Sequence, residues 1–495
     1  MENRFSYEKL HKHLAMVLSA VCFVLISVLF IISIFRTSVY AENQFLGEYV
    51  LFELDSGFFN IILLTVMVCS SYLVYRFCER VNLKLLNFLM LVWTVLIGVL
   101  FVYSASRAPE GDAEIIANTA FLAANGNYNA MADYFARYPF SMGLAFYEEL
   151  VFRFLRIGFP EISKGYCFMA LEMLNVVLLA FAFFAMVRLS GALYKSESVQ
   201  KQNSLFLILF VPAVFACTSI SGRVPAMCFA IIGIWLFAVY IKEKKLLSIL
   251  ASALCAGSAM AIKLDAVIVF SVILFVWLLR IISRENSREC LAFAVFLLLS
   301  VAVAVLPILA NQYRMETIAG ENDRTSVREA MGFDEKETGT LIYSGMYSAV
   351  SSEISGSGAA QHEFEMQSTS DSFFQQWNEP EFHTIISNRN SRHYRETGDF
   401  YSFVCNPDGK LLPVFLNLYQ SFILAGAAIA MLKVFKERSM IKLLPALVFL
   451  GGVIMHLLFP AQSSHAMKYY LLLLPLTAYG YSSFFEHFWL KQDKQ

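Results

Sequence analysis

Five consecutive residues, Glu110-Gly111-Asp112-Ala113-Glu114, follow directly on an apolar run long enough to cross a membrane, and Asp133, Arg137, Tyr138 and Pro139 come shortly after. A carboxylate held just above a bilayer can deprotonate an acceptor hydroxyl while a lipid-linked sugar presents its anomeric carbon. It can equally be an ordinary solvated loop acid. Cations recur at comparable positions. Lys263 lies within one residue of a span end, beside Asp265. An ammonium there is a usable point charge for phosphate, a snorkelling anchor, or a partner for Asp265. Arg223 sits in a very short loop, and His465 and Lys468 flank the start of the last apolar run. Each can meet a lipid phosphate or simply mark an interface or a polar helix start. Trp377, within Gln-Trp-Asn-Glu-Pro, offers either a stacking face for a sugar ring or an anchor that folds its loop onto the helices. His362, His383 and His393 share that loop with many carboxylates, but their spacing matches no compact metal-ligand motif. No G-x-x-x-x-G-K-[ST] loop is present, which argues against a nucleotide-powered pump.

Composition sets the elements that must position these groups. Of 495 residues, 58% are hydrophobic and 16% charged, against about a quarter charged in a soluble protein. That excludes a cytosolic enzyme, a nucleic-acid binder and a secreted disulfide scaffold. Cys22, Cys69, Cys217, Cys228 and Cys255 lie inside apolar runs, so no disulfide framework is implied. The expectation is an all-α polytopic membrane protein with about 12 transmembrane helices. They fall at 14–36, 57–77, 86–104, 165–187, 204–220, 224–241, 246–262, 265–282, 291–310, 411–432, 441–459 and 467–489. Segment 139–157 contains Glu148, Glu149, Arg153 and Arg156. Charges at mid-membrane cost about 2.5–3.5 kcal/mol each, so it reads as an amphipathic helix at the interface or buried among other helices.

The positive-inside rule supports that choice. With 139–157 left out, Arg76, Arg80 and Lys84 fall on the same side as Lys242, Lys244 and Lys245, as do Arg280, Arg284, Arg288, Lys433 and Lys436. That side is then cytoplasmic and holds both termini, whereas the opposite short loops carry single cations such as Arg223 and Lys263. Ser38-Val39-Tyr40-Ala41 can pass for a cleavage site. The apolar stretch before it exceeds the roughly 7–15 residues of a signal core, and the first span reads as retained. The organisation expected is an N-terminal membrane module, 1–310, with external loop 105–164; an external loop region, 311–410; and a C-terminal three-span module, 411–495. Among ionisable groups, only Glu172 and His456 stand inside the membrane away from the span ends, and no broken helix is evident, which makes transport the minority reading. A proton- or ion-coupled transporter would normally show midplane carboxylates or broken helices.

Gly111-Asp112-Ala113-Glu114-Ile115-Ile116, Gly126-Asn127-Tyr128 and Tyr138-Pro139-Phe140-Ser141-Met142-Gly143-Leu144 together resemble the first external loop of GT-C membrane glycosyltransferases. The likeness is to a bacterial branch related to protein O-mannosyltransferases and aminoarabinose transferases. Ala261-Ile262-Lys263, Met331-Gly332-Phe333, Gln376-Trp377-Asn378-Glu379-Pro380, Asn417-Leu418-Tyr419-Gln420 and Phe459-Pro460-Ala461-Gln462-Ser463-Ser464-His465 are similar to later motifs of that branch, in order. The resemblance implies a GT-C fold, a sugar on a polyprenyl phosphate as donor, and Asp112 as catalytic base, with Glu114 next in line. Lys263, Arg223, Lys468 and His465 would then hold the donor phosphate, and Tyr138 and Trp377 would belong to the substrate loops. Some lipid-linked transferases use a divalent cation, which stays an open cofactor.

The function expected is therefore an inverting transfer to a cell-envelope glycan, lipid or protein on the outer face of the cytoplasmic membrane, among membrane lipids and without nucleic acid. Three positions depart from the pattern. Ser221-Gly222-Arg223 stands where relatives carry an acid, Leu264-Asp265 where Pro follows the Lys motif, and Pro460 where an acid is expected. They motivate a second reading, a non-catalytic or transport-type GT-C-like protein that handles glycans or lipids.

Overall fold

The computed structural model describes residues 2–43, 47–128, 135, 138–284, 287–319, 377, 411–458 and 466–488. Its helices, in chain order, are α1 (Glu2–Phe35), α2 (Gly57–Glu79), α3 (Leu83–Ala105), α4 (Asp112–Ala124), α5 (Met142–Gly158), α6 (Lys164–Tyr194), α7 (Glu197–Leu209) and α8 (Val211–Phe215). They continue with α9 (Arg223–Glu243), α10 (Leu246–Ile262), α11 (Val267–Arg284), α12 (Ser287–Ala319), α13 (Leu411–Glu437), α14 (Leu444–Leu458) and α15 (Met467–Phe488). The protein is a helical, multi-pass membrane protein. To the all-α expectation the structure adds one antiparallel hairpin, β1 (Arg36–Asn43) with β2 (Gly47–Leu54), paired from Arg36↔Leu54 to Asn43↔Gly47.

A helix lies at each of the twelve expected segments. Eight are long and apolar enough to cross a bilayer, and α7 with Val211–Thr218 forms a ninth candidate bent by 52°. Pro212 accounts for the bend: at the start of α8 it has no N–H to continue the ladder from α7. Leu246–Ile262 and Ile441–Leu457 are shorter apolar helices. Starts are set locally. The Asn82 side chain accepts from Lys84 N at 2.8 Å, and Ser196 Oγ accepts from Val199 N at 3.3 Å, so each takes up an orphan donor of the following helix.

Segment 139–157 holds a helix buried among other helices, and it turns its two glutamates inward. α5 packs on α4, α10 and α12 and buries Glu148, Glu149 and Phe152, while Leu150, Phe154 and Ile157 stay exposed. Arg153 holds Glu149 at 2.7 Å and reaches Ala123 O and the Tyr128 hydroxyl, fastening α5 to α4. Gly143 permits the contact with α10, because a Cβ there would collide with the Ala261 carbonyl. In the last third, α13 packs on α15 and α1, and α15 on α7. Ser33 Oγ meets Ser421 Oγ at 2.8 Å and Tyr419 donates to Phe206 O at 2.5 Å, so buried polar groups pin this packing.

Candidate functional site

Asp112 is the first residue of α4. Gly111 before it has φ +58°, a left-handed conformation natural to glycine, and lets the chain turn from the end of α3 into α4. Lys263 forms the tip between α10 and a 3₁₀ turn, Leu264–Ala266, that leads into α11; its N–H donates to Ala259 O at 2.9 Å. Arg223 opens α9, and Lys468 is the second residue of α15.

These four stretches converge. Glu110, Asp112, Ser141, Ser221, Arg223 and Lys263 line a cleft of about 480 Å³, with Ile116, Leu144 and Ile262 among its apolar wall residues. Arg223 and Lys263 also line a seam of about 30 Å³, with Asp265 and Lys468 and then the apolar Ala226, Met227, Ala230, Val269 and Leu472. The Asp112 side chain makes no hydrogen bond or ion pair among the described residues, and Asp265 is a partner of Lys468. Burial holds the Lys263 ammonium below the usual lysine range. Arg223 and Lys468 push the same way, while Asp265 and Asp112 oppose them. On the seam side, three cations face one carboxylate. That arrangement can hold an anion, while the carboxylate of Asp112 faces the open cleft.

A divalent cation does not fit the seam. Such an ion takes oxygen ligands, and this donor set is dominated by guanidinium and ammonium groups. Among the described residues no three of His, Cys, Asp and Glu gather as metal ligands would. His362, His383, His393 and His465 lie outside the described residues.

The other expected site residues sit apart. Glu114 is exposed on α4 and does not line the cleft, and Tyr138 is half exposed beside Phe140 and Ser141, which do. Trp377 is 1% exposed. It stacks on Tyr469, packs edge-on to Phe449 and His456, and its carbonyl accepts from Gln420 at 3.1 Å and from the Tyr470 hydroxyl. No face is left for a sugar ring. Tyr469 and Tyr470 have the composition of interfacial anchors, yet both are fully buried around that indole. Aromatic rings gain more by closing on one another here than by facing headgroups.

Sequence reasoning missed a buried polar network at the cleft's roots. Glu172 accepts from Ser106 Oγ at 2.6 Å and from Arg107 N at 3.1 Å; Arg107 Nε donates to Thr218 Oγ1 at 3.2 Å. Asn175 Nδ2 donates to Cys217 O at 3.1 Å and Ser219 O at 3.2 Å. The visible signal was Glu172 within an apolar span and Asn175 three residues on, on the same helix face. Glu148, one of several charges on α5, is fully buried, and its Oε2 finds no partner among the described residues. Burial pushes its carboxyl well above the usual range.

No protein-family model matches the chain, and no curated protein matches it. Among solved structures, it is similar to the archaeal oligosaccharyltransferase AglB from Archaeoglobus fulgidus, determined in complex with an inhibitory peptide and a dolichol-phosphate. The TM-score is 0.43 and the identity 12%, over 82% of this chain and 51% of that one. The chain thus spans about half the length of that enzyme, and a likeness this loose assigns no residue a role.

Proposed function

We propose that this protein is a GT-C-type membrane glycosyltransferase. It moves a sugar from a polyprenyl-phosphate donor to a cell-envelope glycan, lipid or protein on the outer face of the cytoplasmic membrane. The observation that carries the reading is the convergence of Asp112, Arg223 and Lys263, from three separate stretches, on one cleft. Asp112 takes the proton of the acceptor hydroxyl as its oxygen bonds to the anomeric carbon. The bond from that carbon to the phosphate oxygen breaks on the opposite face, which inverts the carbon. The electron pair leaves on the phosphate, where Arg223 and Lys263 offset the charge; a lone anion in a low-dielectric cleft is costly. Lys468 is one step further back, through its pair with Asp265.

Asp112→Asn keeps size and polarity but removes the proton acceptor. Turnover should fall by ~10²–10⁴-fold while lipid-donor binding survives; unchanged turnover would sink the assignment. A second reading, a non-catalytic handler of glycans or lipids, draws on Asp265, which already partly neutralises the cation cluster. Full rescue of a deletion strain's envelope glycans by the Asp112→Asn protein would select it.

A further inference from the structure

The cleft has two working walls, and both are rooted in one helix face. On one side, Glu172 receives Ser106 Oγ (2.6 Å) and Arg107 N (3.1 Å), the residues that follow α3 and lead through Glu110 to Asp112. On the other, Asn175 donates to Cys217 O (3.1 Å) and Ser219 O (3.2 Å), and Ser219 Oγ meets Ser221 Oγ at 2.9 Å, just ahead of Arg223. Arg107 ties the walls together through Thr218 (3.2 Å). Glu172 and Asn175 lie three apart on α6, hence on one face. Ser106, Arg107, Glu172, Asn175 and Thr218 are all buried. Neither Glu172 nor Asn175 lines the cleft. In a low-dielectric interior a fully satisfied polar network holds its members in one geometry and is costly to disrupt.

We infer that Glu172 and Asn175 are positioning residues: one face of α6 sets the distance between the base wall at Asp112 and the phosphate wall at Arg223. This rests on the reaction proposed above. The two arms act on different steps. Glu172 reaches only the base segment directly, so Glu172→Gln, which keeps the shape but replaces one acceptor oxygen with a donor, displaces Asp112 while leaving Arg223 tied by Asn175. Asn175→Ala frees the loop that leads to Arg223 and leaves the base segment tied by Glu172. A misplacement of the order of 1 Å in a reacting group costs about 10²-fold in rate.

The test measures turnover, donor affinity and geometry in the full-length protein. Glu172→Gln should lower kcat about ten- to hundredfold with donor KM within about twofold, and Asn175→Ala should raise donor KM with the smaller effect on kcat. Asn203→Ala is the control, since Asn203 is a buried asparagine that ties α7 to α6 through Met186 O at 3.0 Å, away from the cleft. In parallel, spin labels attached through keto amino acids at positions 110 and 221 report the separation of the walls by electron double resonance, which needs no sugar transfer. The distance distribution should broaden or shift in Glu172→Gln and Asn175→Ala and not in Asn203→Ala. Equal distributions in all three variants would overturn the positioning role. A changed distribution without any transferase activity in the parent protein would instead overturn the reaction and leave the clamp standing.

Discussion

At the scale of the residue, Lys263 makes the sharpest demand. Its ammonium sits below the usual lysine range because burial and Arg223 disfavour the charge. The charged form is the one that binds phosphate, so donor affinity should decline on the alkaline side at a pH lower than free lysine would require. Fold stability should run the other way. A lysine whose pKa is lowered by folding destabilises the protein while it is charged, and that penalty is relieved between the folded and unfolded values. A titration in which donor affinity falls while thermal stability rises over one pH interval checks both signs. Lys263→Arg should move the fall in affinity to higher pH, and Lys263→Ala should cost ten- to hundredfold in affinity, from roughly 1.5–3 kcal/mol for a charge-assisted bond. Lys242→Ala, an exposed change of equal charge at the end of α9, should leave affinity untouched. Asp112, Arg223 and Lys263 were legible in the sequence because each stands out as a charge at the edge of an apolar run. Trp377 was half legible: its loop motif allowed sugar or core, and only three-dimensional closure by Tyr469, Tyr470 and His456 decides for core.

At the scale of the element, α5 shows how a charged helix joins a membrane protein. Its acids point into the helix packing, while Leu150, Phe154 and Ile157 are exposed alongside Arg153, unlike a water-facing amphipathic helix that buries its apolar side. Sequence named it as a non-spanning helix from its charges, but which face turned inward depended on neighbours far along the chain, Ala261 among them. The contact at Gly143 is the weak point. Gly143→Ala drives a Cβ into the Ala261 carbonyl, and overpacking of this kind costs about 1–3 kcal/mol. Ala261 stands two residues before Lys263, while Ser141 and Leu144 line the cleft. The substitution should therefore lower both Tm and donor affinity. Gly158→Ala, where a Cβ meets nothing within 4 Å, should change neither. The bend between α7 and α8 departs from the single span expected at 204–220: the helices turn by 52° at Pro212, since a proline removes a ladder bond.

At the scale of the whole molecule, the distribution of Lys and Arg predicts an orientation that labelling can check. In a background without the native cysteines, Glu243→Cys should react only after permeabilisation, whereas Ala360→Cys should react from outside the intact cell. The reverse pattern would invert the map and move the cleft to the cytoplasmic side, where lipid-linked sugars have not yet been flipped. Helices at the twelve apolar segments were legible, because an apolar run in a bilayer must satisfy its own backbone hydrogen bonds; α4, within the external loop, was not. Their packing order was not, since it rests on paired small and polar groups such as Ser33 with Ser421.

The socket around Trp377 has a consequence for how the chain can be divided. Its partners named above all come from 420–470, so the indole travels with the C-terminal helices rather than with the helices that precede the long loop. A chain broken between 320 and 376 keeps every such contact, and α13 and α15 still have α1 and α7 to dock against. Fragments 1–345 and 346–495, produced together as separate polypeptides, should recombine in the membrane and co-purify through a tag on either one. The molecule is in that sense a two-piece assembly that happens to be translated in one piece.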